Sequence, residues 1–250
     1  MKRSRKNKKK KKENFGLALL TLIIGILIAY YIDIIDPAVR DFFKTSFASP
    51  YSVSYTLDDL PEYSGNNYVY INNNEPNFTE EEKGKTESFE KYSELDYLNR
   101  CGVAFANIGK DIMPTTEREG IGMVKPSGWQ TVKYDFVDGK YLYNRCHLIG
   151  YQLTAENANR ENLITGTRYL NVQGMLSFEN EVANYIKETK NHVLYRVTPI
   201  FEGEDLVAKG VQMEAESVED RGDGVEFNVY VYNNQPGVEI NYKTGESKQK

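Results

Sequence analysis

Two histidines, two cysteines and a single tryptophan in 250 residues restrict the chemistry open to this chain. Two cysteines are too few for a disulfide scaffold, and without C-x-x-C spacing they do not make a structural zinc site. No internal repeat is visible. Positive charge is scarce beyond the first few residues. Residues 1–13 hold nine of the 31 Lys/Arg and one of the 36 Asp/Glu, so residues 14–250 carry 22 basic against 35 acidic groups, a balance of −13. Such acidity disfavours a polyanionic partner unless basic groups gather locally around a site. What remains is ordinary globular material, 40% apolar and 27% charged, of a length that suggests one domain or at most two.

The N-terminus has its own character. Residues 2–12 form a basic block, and residues 15–32 follow as 18 positions without a charge. At about 1.5 Å per residue such a run spans roughly 27 Å, near the hydrocarbon thickness of a bilayer. The positive-inside rule puts the lysines in the cytoplasm and the rest of the chain outside. A cleaved signal peptide is the alternative, but the run exceeds the usual apolar core and no A-x-A site follows. The expected organisation is a basic cytoplasmic tail (1–14), a transmembrane anchor (15–35), a stalk (36–55) and a folded domain (56–250).

Within that domain, residues 68–71 read as a short strand. Asn72, Asn73 and Asn74 then make a turn, where asparagine serves for its backbone tolerance rather than as a ligand. Residues 78–97 are acidic and helical in part. Residues 102–108 are a continuous apolar run, expected as a buried central strand. Residues 129–134 alternate at period two, Asp138-Gly139 supplies a turn, and residues 141–143 return as a hairpin, leaving His147 just past its second strand. An amphipathic helix is expected over 175–190. Strands follow over 193–197, 206–213 and 225–231, with residues 244–250 as a frayed tail.

The candidate chemistry lies in Tyr143-Asn144-Arg145-Cys146-His147, with Asn162 and Asn171 placed 15 and 24 positions beyond the histidine. A neutral imidazole can take a proton from water near pH 7, and amide oxygens are hard neutral ligands that suit Mg²⁺. A base, a hard cation and a nearby arginine are the minimum for hydrolysing a phosphodiester. His192 has no comparable surroundings and reads as structural.

This stretch resembles the DNA/RNA non-specific endonuclease family, the ββα-metal or His-Me finger nucleases, and in particular the membrane-anchored nucleases of naturally transformable Gram-positive bacteria. The family writes its first motif Asp-Arg-Gly-His. Three positions depart from its pattern: Asn144 stands for Asp, Cys146 for Gly, and Gly166 for Gln. The resemblance implies an α+β fold, with a mixed or antiparallel central sheet, flanking helices and a ββα-metal element. It implies His147 as general base beside Arg145, Asn171 holding Mg²⁺ (Mn²⁺ as substitute), and Glu179 near the metal's water shell. Asn144 and Asn162 are supporting residues. Asn162 either reaches the metal's outer shell or braces the loop that holds His147, and bracing is favoured. Arg145 either meets phosphate or faces away from it. The implied partners are DNA and RNA, bound through phosphates without sequence readout, and the membrane through the anchor.

Lys125, Lys133, Arg168 and Arg118 are candidates for tracking the nucleic-acid backbone. The imidazole is expected to titrate near 6.5 before local perturbation. Cys101 and Cys146 are expected to form a disulfide if the domain lies outside the cytoplasm, against the alternative of two buried thiols. Two other functions stay open: a catalytically weakened nucleic-acid-binding protein, and a zinc protein using Cys101, Cys146 and His147.

Overall fold

Period-two alternation of apolar side chains builds the main sheet. The computed structural model describes residues 53–250, so the basic block, the anchor and most of the stalk lie outside the described residues. Strands β1 (Ser54–Tyr55), β2 (Tyr68–Ile71), β3 (Phe89–Tyr92) and β4 (Ala104–Ile108) precede the candidate motif. Strands β5 (Tyr143–His147) and β6 (Leu163–Thr167) contain it, and β7 (Val193–Ile200), β8 (Gly210–Ser217) and β9 (Glu226–Tyr232) follow. The seven-stranded sheet runs β1-β2-β9-β8-β7-β4-β3. Its ladders are antiparallel except for β1 with β2.

On one face of this sheet, Val193, Tyr195 and Val197 of β7 join Val211, Met213 and Ala215 of β8, and Phe227, Val229 and Val231 of β9, in the principal core. The long helix α3 (Leu176–Thr189) covers that face with Phe178, Val182, Ala183 and Ile186, a spacing that makes one apolar stripe. It follows two short helices, α1 (Glu80–Lys83) and α2 (Tyr151–Thr154).

Three expectations are corrected. The run over 102–108 forms β4, but as the penultimate strand beside the edge strand β3 and not at the centre. The hairpin expected over 129–143 is reduced to one isolated bridge between Lys133 and Tyr141. Instead β5 pairs with β6, and His147 is the last residue of its strand, opposite Leu163. The tail is not frayed: β10 (Val238–Ile240) pairs with β11 (Ser247–Gln249), and the Gly245 carbonyl accepts from the Tyr143 hydroxyl at 2.9 Å. The asparagine turn is as read, with Asn72, Asn73 and Asn74 all at positive φ. Among the described residues no helix is long and apolar enough to cross a membrane.

Candidate active site

Alternation along β5 sorts the motif onto two faces. Asn144 and Cys146 meet the widened π-helical turn Leu170–Met175 that leads into α3, while Arg145 and His147 meet the long loop of residues 109–142. Both faces open into one cavity of about 750 Å³, whose lining includes Arg118, Asn144, Arg145, His147, Arg168, Asn171 and Glu179.

His147 is only 5% exposed. Its Nε2 lies 2.7 Å from the Asn157 carbonyl oxygen, which can only accept, so Nε2 carries the proton. Its Nδ1 lies 3.4 Å from an Arg118 guanidinium nitrogen, which can only donate, so Nδ1 presents its lone pair. Two independent neighbours thus select one tautomer. Burial lowers the imidazole from the usual 6.5 to about 4, helped by the Arg118 charge and opposed by the bond to Asn157. Burial is thus the local perturbation that moves this imidazole from its reference value of 6.5.

The loop behind His147 is held by Asn162. This side chain is fully buried, and its Oδ1 accepts from the Ile149 amide at 2.8 Å while its Nδ2 donates to the Ile149 carbonyl at 3.0 Å. Both ends of the Asn162 amide are thus tied to the loop behind His147. Arg145 donates to the Gly122 and Val124 carbonyls at 2.6 and 2.5 Å and stacks over Trp129 at 4.1 Å. Its guanidinium ties the 109–142 loop to the strand while still lining the cavity.

Of the candidate tracking cations, Arg118 and Arg168 line the cavity, whereas Lys125 and Lys133 do not. Lys133 sits over the Tyr141 ring instead. The cavity thus collects three arginines against one acid, Glu179, and this local excess answers the acidity of the whole domain. Sequence reading named Arg118 as a backbone-tracking cation but not as the neighbour of His147, because the loop that carries it has no motif.

Glu179 keeps some exposed surface where it opens onto the cavity, but protein packed around its carboxylate pushes its pKa up to about 7. A hydrogen bond from Gln152 and the Arg118 charge pull the other way. Gly150 makes room for it: a Cβ there would lie 2.9 Å from the carboxylate oxygens. Asn171 donates from Nδ2 to Asn144 Oδ1 at 3.2 Å, and its Oδ1 accepts from the Cys146 thiol at 3.2 Å. An amide oxygen has two lone pairs, so one remains. This hard-oxygen set fits a cation such as Mg²⁺ that keeps most of its waters. Among the described residues no three His, Cys, Asp or Glu side chains converge on a metal-sized site.

The disulfide is corrected. Cys101 and Cys146 are both free, buried thiols. Cys101 donates to the Arg160 and Leu163 carbonyls, whereas Cys146 lies between Asn171 and Met175. Burial raises both thiols, Cys101 to about 12. The zinc reading falls on geometry, because among the described residues Cys101, Cys146 and His147 do not converge on one metal-sized site. Small size at Gly166 accompanies Cys146, since a Cβ at 166 would come within 2.6 Å of the cysteine Cβ. His192 pairs with Glu219 at 2.7 Å, a structural role as read.

Comparison with known proteins adds to this geometry. The family model for DNA/RNA non-specific endonuclease matches residues 76–219. Among solved structures, NucA from Streptococcus agalactiae with magnesium ion bound is 26% identical, with a TM-score of 0.63, covering 72% of this chain and 85% of that one. The same protein with no metal bound is 25% identical with a TM-score of 0.67, covering 78% and 92%. Sda1 nuclease with bound zinc ion is 29% identical with a TM-score of 0.55, covering 65% and 81%.

Proposed function

The chain belongs to the DNA/RNA non-specific endonuclease family, and from that premise we propose that it hydrolyses phosphodiester bonds of DNA and RNA with His147 as general base. The observation that carries this reading is the tautomer of His147, fixed on both ring nitrogens at the wall of a cavity shared with Asn171 and three arginines. The unprotonated Nδ1 accepts a proton from the attacking water, and the Nε2–H bond to Asn157 holds the ring and spreads the charge that then forms.

Asn171 would hold a divalent cation, Mg²⁺ with Mn²⁺ as substitute, with Glu179 close by. Bound there, such an ion supplies positive charge to the phosphate oxygens. Arg118 offers guanidinium hydrogens beside Nδ1, where negative charge develops on phosphorus-bound oxygens. Arg145 and Asn162 keep the loop and strand in register rather than touching the reacting atoms. Departure of the 3′ oxygen leaves 5′-phosphate ends.

The domain acts outside the cytoplasmic membrane, held there by residues 15–35. The basic block followed by 18 uncharged residues supports this placement. Incubating the full chain with labelled DNA and RNA, in Mg²⁺ or in EDTA, tests the activity. Digestion of both to 5′-phosphate oligonucleotides in Mg²⁺ alone is expected. Binding without cleavage would instead make the chain a nucleic-acid-capture protein.

A further inference from the structure

Two of the family positions at which this chain departs, Asn144 and Cys146, both touch the side chain of Asn171, one at each end of its amide. The two ends of an amide differ in kind: the oxygen only accepts and the nitrogen only donates. Which end faces which neighbour therefore depends on what those neighbours can do. Asn144 is itself an amide and could present either end, so it does not decide the matter alone.

Arg168 decides it. A guanidinium has donors and no acceptor, and its Nη1 lies 3.4 Å from Asn144 Oδ1. Arg168 is held in turn by Asp138, which accepts from Nη2 at 2.8 Å and Nε at 3.0 Å. Asn144 must then turn its oxygen toward both Arg168 and Asn171, so Asn171 must answer with Nδ2. Its oxygen is left for the opposite side, where the Cys146 thiol donates to it.

We propose that Arg168, acting through the side-chain oxygen of Asn144, is a positioning residue that orients the Asn171 amide with its oxygen presented for the cation. Arg168 thereby works within the fold as well as lining the cavity. This rests on Asn171 being the metal ligand, as proposed above. It also explains how the chain manages with Asn in place of Asp at position 144. A carboxylate accepts from every direction, whereas an amide accepts from one end only and needs an arginine to turn that end.

The test is Mn²⁺ binding to the full chain without nucleic acid, followed by the paramagnetic resonance of free Mn²⁺, with thermal unfolding to show that each variant is folded. Asn144→Leu and Arg168→Met should each weaken Mn²⁺ binding by about 10-fold or more, the range in which partners of metal ligands act. Asn144→Asp, which can only accept, should keep wild-type affinity or exceed it. Arg168→Met carries the test if Asn144→Leu does not fold, because that guanidinium is partly exposed. Wild-type affinity in Arg168→Met, or a loss in Asn144→Asp as large as in Asn144→Leu, would overturn the proposal. Asn171→Ala separates the two levels. If it loses Mn²⁺ while Arg168→Met does not, only the positioning role fails. If it keeps wild-type affinity, the ligand assignment fails and takes this proposal with it.

Discussion

Both ends of the Asn162 amide are engaged by the backbone of one residue, Ile149, two positions beyond His147. The Asn162 carbonyl also accepts from the Leu148 amide at 2.9 Å, so the crossing from β5 into α2 is clamped from a single point. Asn162→Ala removes two buried hydrogen bonds and leaves the Ile149 groups unsatisfied, which costs about 2–3 kcal/mol. Urea unfolding should show that loss. Cleavage per folded molecule should fall as well, because the histidine loses its support. An unchanged urea midpoint would remove the clamp.

The burial of His147 has a defined pH signature in metal-free protein. Above about pH 6.5 the imidazole is neutral in both the folded and the unfolded chain. As pH falls, the unfolded chain takes up a proton first, while the folded imidazole resists until about 4, so stability is lost across that window. The shift corresponds to about 3 kcal/mol. Glu179 runs in the opposite sense, its contribution full below 4.5 and lost as pH rises through about 7, so the two nearly offset in the wild type. The stability difference between wild type and His147→Gln isolates the histidine. It should move against the wild type by about 3 kcal/mol between pH 6.5 and 4. A difference independent of pH would mean that the imidazole is not buried.

The same depression bears on the rate. With the base neutral well below pH 6.5, protonation of His147 should not limit cleavage at pH 6. Arg118→Met removes a repulsive cation, so the imidazole pKa should rise and the acid limb of the pH–rate profile should move to higher pH. A limb that stays in place would show that Arg118 does not act on His147.

Cys146 and Gly166 form a size pair. A Cβ at position 166 would collide with the cysteine, so Gly166→Ala should cost about 1–3 kcal/mol through overpacking. The added Cys146→Gly should recover most of that loss, a coupling that a double-mutant cycle reads directly. Simple additivity would contradict the pairing.

Much of the domain was legible. Alternation gave β2, β7, β9 and the first half of β8, the apolar stripe gave α3, and the local string around His147 lies on the wall of the candidate cavity. The misses have physical causes. Asp138-Gly139 does form its turn, with the Lys140 amide donating to the Val137 carbonyl, but the flanking segments meet only at the Lys133–Tyr141 bridge, while Tyr143 pairs with Thr167 across a long connection that no dipeptide announces. Strand β3 was hidden because only Phe89 and Tyr92 of its Phe-Glu-Lys-Tyr are partly buried. The tail was misread because residues 244–250 have no apolar side chain to signal burial; they are held by backbone pairing with β10 and by the Tyr143 hydroxyl, the latter a contact distant in sequence. The depressed imidazole and the thiol beside Asn171 needed the packed fold, since desolvation is not a property of a string of residues.

Affinity for nucleic acid should rest on few charges. With Arg118, Arg145 and Arg168 as the cavity's cations, the slope of log K against log salt should be about −3 on duplex DNA. Filter binding of a His147→Ala chain across salt concentrations measures it. A slope steeper than roughly −8 would require a far larger basic surface than this domain presents.

The most direct test of the account is the initial rate of Mg²⁺-supported cleavage of supercoiled DNA by wild type and His147→Ala, both shown to be folded by their unfolding transitions. Loss of a general base should lower the rate by about 10²–10⁴-fold. A folded His147→Ala chain that cuts at the wild-type rate would contradict the account.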